Sequence, residues 1–216
     1  MYVKCGMMAK AEKVFEELPI QNVFSWSSLI SGLAQQEQGH EALNCFAQMQ
    51  KEGLCPDGVT FTLILKACSS IGALEVGEEI HQKINKHRQL ENDMFIGTTL
   101  VDMYAKCGAL GKARLVFDKL PVRDAVTWNV CIAGYVKCGC LDEAVNCFLK
   151  MQDEGISPDT LTFSLISKGC SSGGSLKIAK MIHAQVYKLG ILDRDLVLCT
   201  CLVDLYSKCG ALERAK

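Results

Sequence analysis

Three residue types in this chain of 216 could do chemistry: thirteen cysteines, four histidines, and an aspartate that recurs at 57, 93, 124, 159 and 195. Thirteen cysteines invite a disulfide framework or a zinc site. Their spacing argues otherwise. Cys5, Cys107 and Cys209 stand 102 residues apart, as do Cys45 and Cys147, and Cys68 and Cys170. Most are therefore one structural position used again, where a reduced cysteine serves as a small apolar residue in tight packing. Cys138 and Cys140, like Cys199 and Cys201, form C-x-C pairs with no second pair or histidine at a zinc-site spacing, so no metal is expected.

His81 and His183 are also 102 apart and read as packing or surface residues, while His40 and His87 have no counterpart. The chain contains no phosphate-loop motif, nucleophile elbow, H-E-x-x-H helix or zinc-deaminase signature. Carboxylates such as Glu78-Glu79 and Asp142-Glu143 fall on helix surfaces as solvated charges. The chain reads as a non-enzyme without cofactor or small-molecule substrate. What remains is the aspartate, a hydrogen-bond acceptor only when ionised.

The elements that position it follow from a repeat. MYVKCGMMAKAEKVFEELP at 1–19 matches MYAKCGALGKARLVFDKLP at 103–121 in eleven of nineteen places, and LYSKCGALERAK at 205 begins a third copy. The text between aligns without a gap, so the period is 102 residues. That exceeds a solenoid unit of about 20 to 50 residues and must contain several. Marking the apolar residue that opens each unit gives lengths of 35, 36 and 31, at 23–57, 58–93 and 94–124, then 125–159 and 160–195, with partial units at 1–22 and 196–216. Entry in mid-unit and an end inside a second helix read as a fragment.

Each unit carries two amphipathic stretches separated by a small-residue turn, the pattern of a helical hairpin. In 23–57, Trp26, Leu29, Ile30 and Leu33 form one stripe, and Ala42, Leu43, Phe46 and Met49 the other. Gly53 before Pro56, and Gly155 before Pro158, stop the second helix. Leu18-Pro19 and Leu120-Pro121 stop it earlier, which accounts for the 31-residue units. The composition is 49% apolar and 22% charged with 4 prolines, and no apolar run is long enough to span a bilayer. The predicted fold is all-α, a solenoid of stacked hairpins with no single core.

DMYAKCGALGKARLVFDKLPVRD at 102–124, W-N-x-x-I-x-G-Y at 128–135 and LKACSSIGALEVGEEIH at 65–81 resemble the short, standard and long motifs of the plant pentatricopeptide repeat proteins whose units alternate in length. The resemblance covers the whole chain. It implies a right-handed superhelix that binds single-stranded RNA at one base per repeat, each base read by two side chains. Carried onto this sequence, the reading pairs are Ser27 with Asp57, Thr98 with Asp124, and Asn129 with Asp159, and in the long units Thr62 with Asp93 and Ser164 with Asp195.

An acceptor-only aspartate suits bases whose pairing edge offers an imino N–H, namely G and U. The expected order along the chain is G, an open base, G, U and a second open base. The second residue of each unit, Phe24, Val59, Phe95, Val126, Leu161 or Val197, corresponds to the family's wedge between bases; the alternative is a staple at the helix entry. Lys4, Lys106, Lys137 and Lys208 occupy equivalent places and are candidates for phosphate contacts, interrupted by Gln35 and Ser70. Net charge is −1 and the isoelectric point near 6.4, so any phosphate attraction is local.

The resemblance further implies a mitochondrion or chloroplast as the site of action, recognition of cytidine-to-uridine editing sites, and proteins of an editing complex as additional partners. No membrane association is expected. The competing class is a protein-binding solenoid of the tetratricopeptide kind. The recurring aspartate separates the two, since a peptide groove has no reason to repeat it, although a helix cap does.

Overall fold

A computed structural model describes residues 2–87, 90, 93–173, 176–188, 190 and 196–209. Twelve α-helices are present among them, with a 3-10 turn at Val3–Cys5 and no strand. The chain divides into two compact units, Met1–Pro121 and Val122–Lys216.

The first unit holds α1 (Met8–Glu16), α2 (Val23–Gln35), α3 (Gly39–Lys51), α4 (Gly58–Ile71), α5 (Leu74–Lys86), α6 (Met94–Lys106) and α7 (Leu110–Lys119). α2 with α3, α4 with α5, and α6 with α7 are hairpins. α2 packs on α4 and α4 on α6, so the first helices of successive hairpins form one layer, while α3 also touches α4 and α5 touches α6. The second unit repeats the scheme with α8 (Ala125–Lys137), α9 (Leu141–Asp153), α10 (Thr160–Gly173), α11 (Leu176–Lys188) and α12 (Leu196–Lys208); α8 packs on α10 and α10 on α12.

The apolar stripes are what hold these layers. Trp26, Leu29, Ile30 and Leu33 of α2 are buried, as are Ala42, Phe46 and Met49 of α3, with Leu43 only partly so. Aromatic rings bridge successive hairpins: Phe46 lies 6.4 Å from Phe61, and Phe148 5.8 Å from Phe163 in an edge-to-face contact.

Helix ends follow local chemistry. Gly53 and Gly155 adopt φ of 76° and 78°, which an L side chain resists, and the next N–H reaches back to Met49 O and Met151 O. In α7 the stop is Pro121: Leu120 before it is extended at φ −63° and ψ 129°, and the helix has 10 residues where α3 and α9 have 13. No helix among the described residues is long and apolar enough to cross a membrane.

Candidate nucleic-acid interface

Every first helix begins by placing an apolar side chain in water. Phe24, Val59 and Phe95 in the first unit, and Val126, Leu161 and Val197 in the second, are between 55% (Leu161) and 80% (Phe24) exposed. A hydrophobic staple would bury these residues against the next turn, and none is buried. The Lys66 ammonium sits 5.6 Å from the centroid of the Phe95 ring, a cation–π distance.

Two residues further back, the recurring acid caps the helix. Asp57, Asp93 and Asp124 occupy the N-cap of α4, α6 and α8 with extended backbone, and the Asp159 carboxylate accepts the Thr162 N–H of α10 at 2.8 Å. Asn22 does the same for α2, in a reciprocal capping box with Ser25. In Asp57, Asp93 and Asp124 the cap uses Oδ1.

The pairs expected to read bases differ in how far the fold joins them. Asn129 is buried in α8 and its Nδ2 donates to both oxygens of Asp159, at 3.1 and 3.2 Å. The Thr162 hydroxyl lies 2.7 Å from Asn129 Oδ1 and 2.8 Å from Asp159 Oδ1, and accepts the Asp159 N–H at 3.1 Å. Ser27, also buried, reaches Asp57 through a relay: its Oγ is 2.8 Å from Thr60 Oγ1, which donates to Asp57 Oδ1 at 2.7 Å.

Thr62 and Asp93 are not joined. Thr62 Oγ1 donates to Gly58 O at 2.9 Å, while Asp93 Oδ1 accepts the N–H groups of Phe95 and Ile96 at 2.8 and 3.0 Å. Thr98 Oγ1 donates to Met94 O at 2.8 Å within α6, and Asp124 Oδ1 accepts the N–H and hydroxyl of Thr127, both at 2.8 Å. Ser164 Oγ is 3.6 Å from Cys201 Sγ, and its expected partner Asp195 lies outside the described residues.

The threonines at 60, 127 and 162, absent from the expected pairs, thus each bond the recurring aspartate. Their signal was there: each is the third residue of a first helix, and 60 and 162 are 102 apart.

Electrostatics follow the hydrogen bonds. The N–H and hydroxyl of Thr127 hold the Asp124 carboxyl below the usual carboxylate range. At Asp159 burial works in the opposite direction, but hydrogen bonds from Thr162 and Asn129 outweigh it and the carboxyl is again lowered. A lowered folded value means that the contribution of Asp159 to stability is complete above its unfolded value, about 3.9, and is lost as pH falls through the lower folded value. An NMR titration of the Asp159 carboxyl is expected to show its midpoint below that of an unfolded reference peptide, with the Asn129 side-chain amide shifting in the same acid range.

The lysine row is less simple than expected. Lys106 is half exposed at the end of α6 and bonds Asp102 at 2.8 Å, one turn earlier, so its charge already has a partner. An exposed pair of this kind is weak, worth about 0.3–0.5 kcal/mol, and an RNA phosphate competes with it readily. Lys137 is exposed at the end of α8. The side chains of Lys4 and Lys208 lie outside the described residues.

His81 Nδ1 is 2.9 Å from Tyr104 OH, and His183 Nδ1 3.0 Å from Tyr206 OH, a contact repeated at the 102-residue period and made between a long hairpin and the following first helix. Burial pushes the Tyr104 hydroxyl up to about 12 and holds His81 below its usual value, helped by Lys119, so both favour the neutral form. Cys68, Cys131, Cys147 and Cys170 are buried, and burial raises Cys68 and Cys170 to about 12, as befits packing residues. Cys5, Cys55 and Cys138 are exposed, so the packing role does not extend to them. No cluster of potential metal ligands occurs among the described residues.

Comparison with known proteins agrees with this architecture. The PPR repeat family model matches residues 21–70 and 123–172, and the PPR repeat model matches 1–23 and 98–124. A mitochondrial pentatricopeptide repeat-containing protein of Arabidopsis thaliana is 39% identical over 216 residues, all of this chain and 21% of its own length. A chloroplastic one from the same plant is 36% identical over 215 residues, all of this chain and 34% of its own length. The chain therefore spans between a fifth and about a third of these relatives.

Among solved structures, the pentatricopeptide repeat protein PPR10 in complex with an 18-nt psaJ RNA element superposes with a TM-score of 0.78 at 21% identity, over 99% of this chain and 32% of that one. That likeness is one of fold. Hairpin repeats in the structure, repeat models along the sequence and full-length alignment to named relatives together place this chain in the pentatricopeptide repeat family.

Proposed function

We propose that this chain binds single-stranded RNA selectively, one base per hairpin, with units at 23–57, 58–93, 94–124, 125–159 and 160–195 alternating as standard, long and short motifs. The observation that carries the reading is the Asn129–Asp159 pair: an amide in the first turns of α8 and an acceptor-only carboxylate at the start of α10 held side by side, with the exposed Val126 three residues before Asn129. Uracil offers an imino N–H for the carboxylate and carbonyl oxygens for the remaining Asn129 proton. Adenine and cytosine offer no imino N–H, and the carboxylate has nothing to accept from that position. The PPR10 complex with RNA supports the choice of ligand, since that protein shares the fold.

By the same reasoning the hairpin at 23–57 reads G and the hairpin at 125–159 reads U, three nucleotides downstream. Phe24, Val59, Phe95, Val126, Leu161 and Val197 stack between bases, and Lys106 and Lys137 meet phosphates. The relatives' names point to an organelle, mitochondrion or chloroplast, as the place of action. There the chain specifies sites for RNA processing, with cytidine-to-uridine editing as the reaction served by other domains or partner proteins. The chain itself acts as a binding module.

Selection from a randomised RNA pool by the 216-residue chain tests this. The expected result is enrichment of G and, three places on, U, with Asn129→Thr shifting the U place toward G in a folded protein. A pool that returns unenriched would shift the reading to a protein-binding solenoid.

A further inference from the structure

The two connected reading pairs share a buried third member that comes from the next hairpin. Thr60 and Thr162 are fully buried, each is the third residue of its first helix, and each hydroxyl touches both members of the preceding pair. We infer that this threonine is a specificity-determining position, because it fixes which way the hydrogen bonds of the pair point. The inference rests on the RNA reading above.

Proton counting shows how. The Asp159 carboxylate only accepts, so the Thr162 hydroxyl proton lies between Asp159 Oδ1 and Asn129 Oδ1. That anchors the Asn129 oxygen inward and turns Nδ2 to the carboxylate. The second Nδ2 proton is left for the base, and the pair presents one donor and one acceptor, the complement of the uracil edge. In the other pair the Thr60 proton is committed to Asp57, and the single Ser27 proton goes to Val23 O or Thr60 Oγ1, each 2.8 Å away. Ser27 therefore presents lone pairs beside a carboxylate. Two acceptors complement guanine, whose edge carries an imino N–H and an amino group.

The chain also contains its own contrast. After the long hairpins the third residue is Ile96 or Leu198, both buried and without a hydroxyl. Thr62 donates to Gly58 O, the same bond that Ser27 can make to Val23 O, but it has no threonine hydroxyl to relay it to Asp93, although its side-chain chemistry matches that of Ser27 and Asp57. Long hairpins thus carry the residues of a guanine-reading pair but lack the part that aligns them. Discrimination by a pair depends on the next hairpin as well as its own.

The test uses the 216-residue chain and short synthetic RNAs that differ only at the U place or only at the place of the 58–93 hairpin. Thr162→Val keeps the shape and removes the hydroxyl. Preference for U over C is expected to fall about threefold to tenfold, the worth of one neutral hydrogen bond, while G preference at the 23–57 hairpin holds. Thr162→Ser is expected to restore it. Ile96→Thr is the converse and is expected to create a G preference of similar size where the wild type shows little.

An unchanged U-to-C ratio in folded Thr162→Val, or no new preference in folded Ile96→Thr, overturns the inference and leaves the RNA reading intact. A wild-type chain with no U preference overturns both.

Discussion

Alanine at both Phe24 and Phe95 is expected to weaken binding of a matched single-stranded RNA about thirtyfold to twenty-five-thousandfold and to leave the melting temperature of the chain almost unchanged. Stacking of a base on an aromatic side chain is worth about 1 to 3 kcal/mol by alanine substitution. The two rings open helices α2 and α6, with the hairpin of α4 and α5 between them, so their effects should add. Stability should hold because the rings are 80% and 63% exposed, and changes at such sites stay within about 0.5 kcal/mol. The Lys66 contact to Phe95 goes with the ring, and at so exposed a site it is worth about 0.5 kcal/mol.

Titration by fluorescence anisotropy beside a thermal melt separates the possibilities. If affinity holds while the melt shifts down by several degrees, the rings brace the helix starts and do not stack on bases. Alanine at Val126 or Leu161 should have a smaller effect, since a branched aliphatic offers less flat surface to a base.

Much of this architecture was legible because the sequence states it twice. Helices α2 and α8 open at Val23 and Ala125, 102 residues apart, and the glycine and proline stops after α3, α7 and α9 act through local backbone chemistry that needs no tertiary information. The burial of Trp26, Leu29, Ile30 and Leu33 follows from helical spacing alone. The aspartate at the unit ends was visible as a recurrence, and the structure gives it a helix-cap role whether or not it also reads a base.

What stayed hidden depended on register between hairpins. Thr60 and Thr162 look like ordinary threonines in a first helical turn; that their hydroxyls meet residues 33 positions earlier is set by how α2 packs on α4 and α8 on α10. The pairing of Lys106 with Asp102 was within reach of sequence spacing, since the two are one turn apart, and it qualifies a lysine first seen only as a phosphate contact. Equivalent cysteine positions proved unequal for the opposite reason. Cys5 is exposed and Cys107 half-buried, because what covers the position depends on the neighbouring hairpin and not on the repeat.

Phe148→Ala is expected to destabilise the second unit by about 3 to 5 kcal/mol, the usual cost of removing a buried phenyl ring. Phe148 is fully buried on α9 and meets Phe163 of α10 edge to face, so the truncation removes both its own packing and an aromatic contact between hairpins. In a repeat array each hairpin is stabilised by its neighbours, so the loss should be local. Hydrogen exchange is expected to show faster exchange in α8, α9 and α10, while α2 to α6 keep their protection.

RNA selection should change in the same local way. Asn129 lies on α8 and its partners Asp159 and Thr162 lie at the start of α10, so the proposed U preference would depend on α9 holding those two helices in register. Ser27, Thr60 and Asp57 draw in the same way on α2 and α4, held by α3. Loss of U selection with retained G selection in Phe148→Ala would show that base reading is a property of adjacent hairpins. Loss of both, with exchange faster throughout, would mean that the readers are supported by the array as a whole.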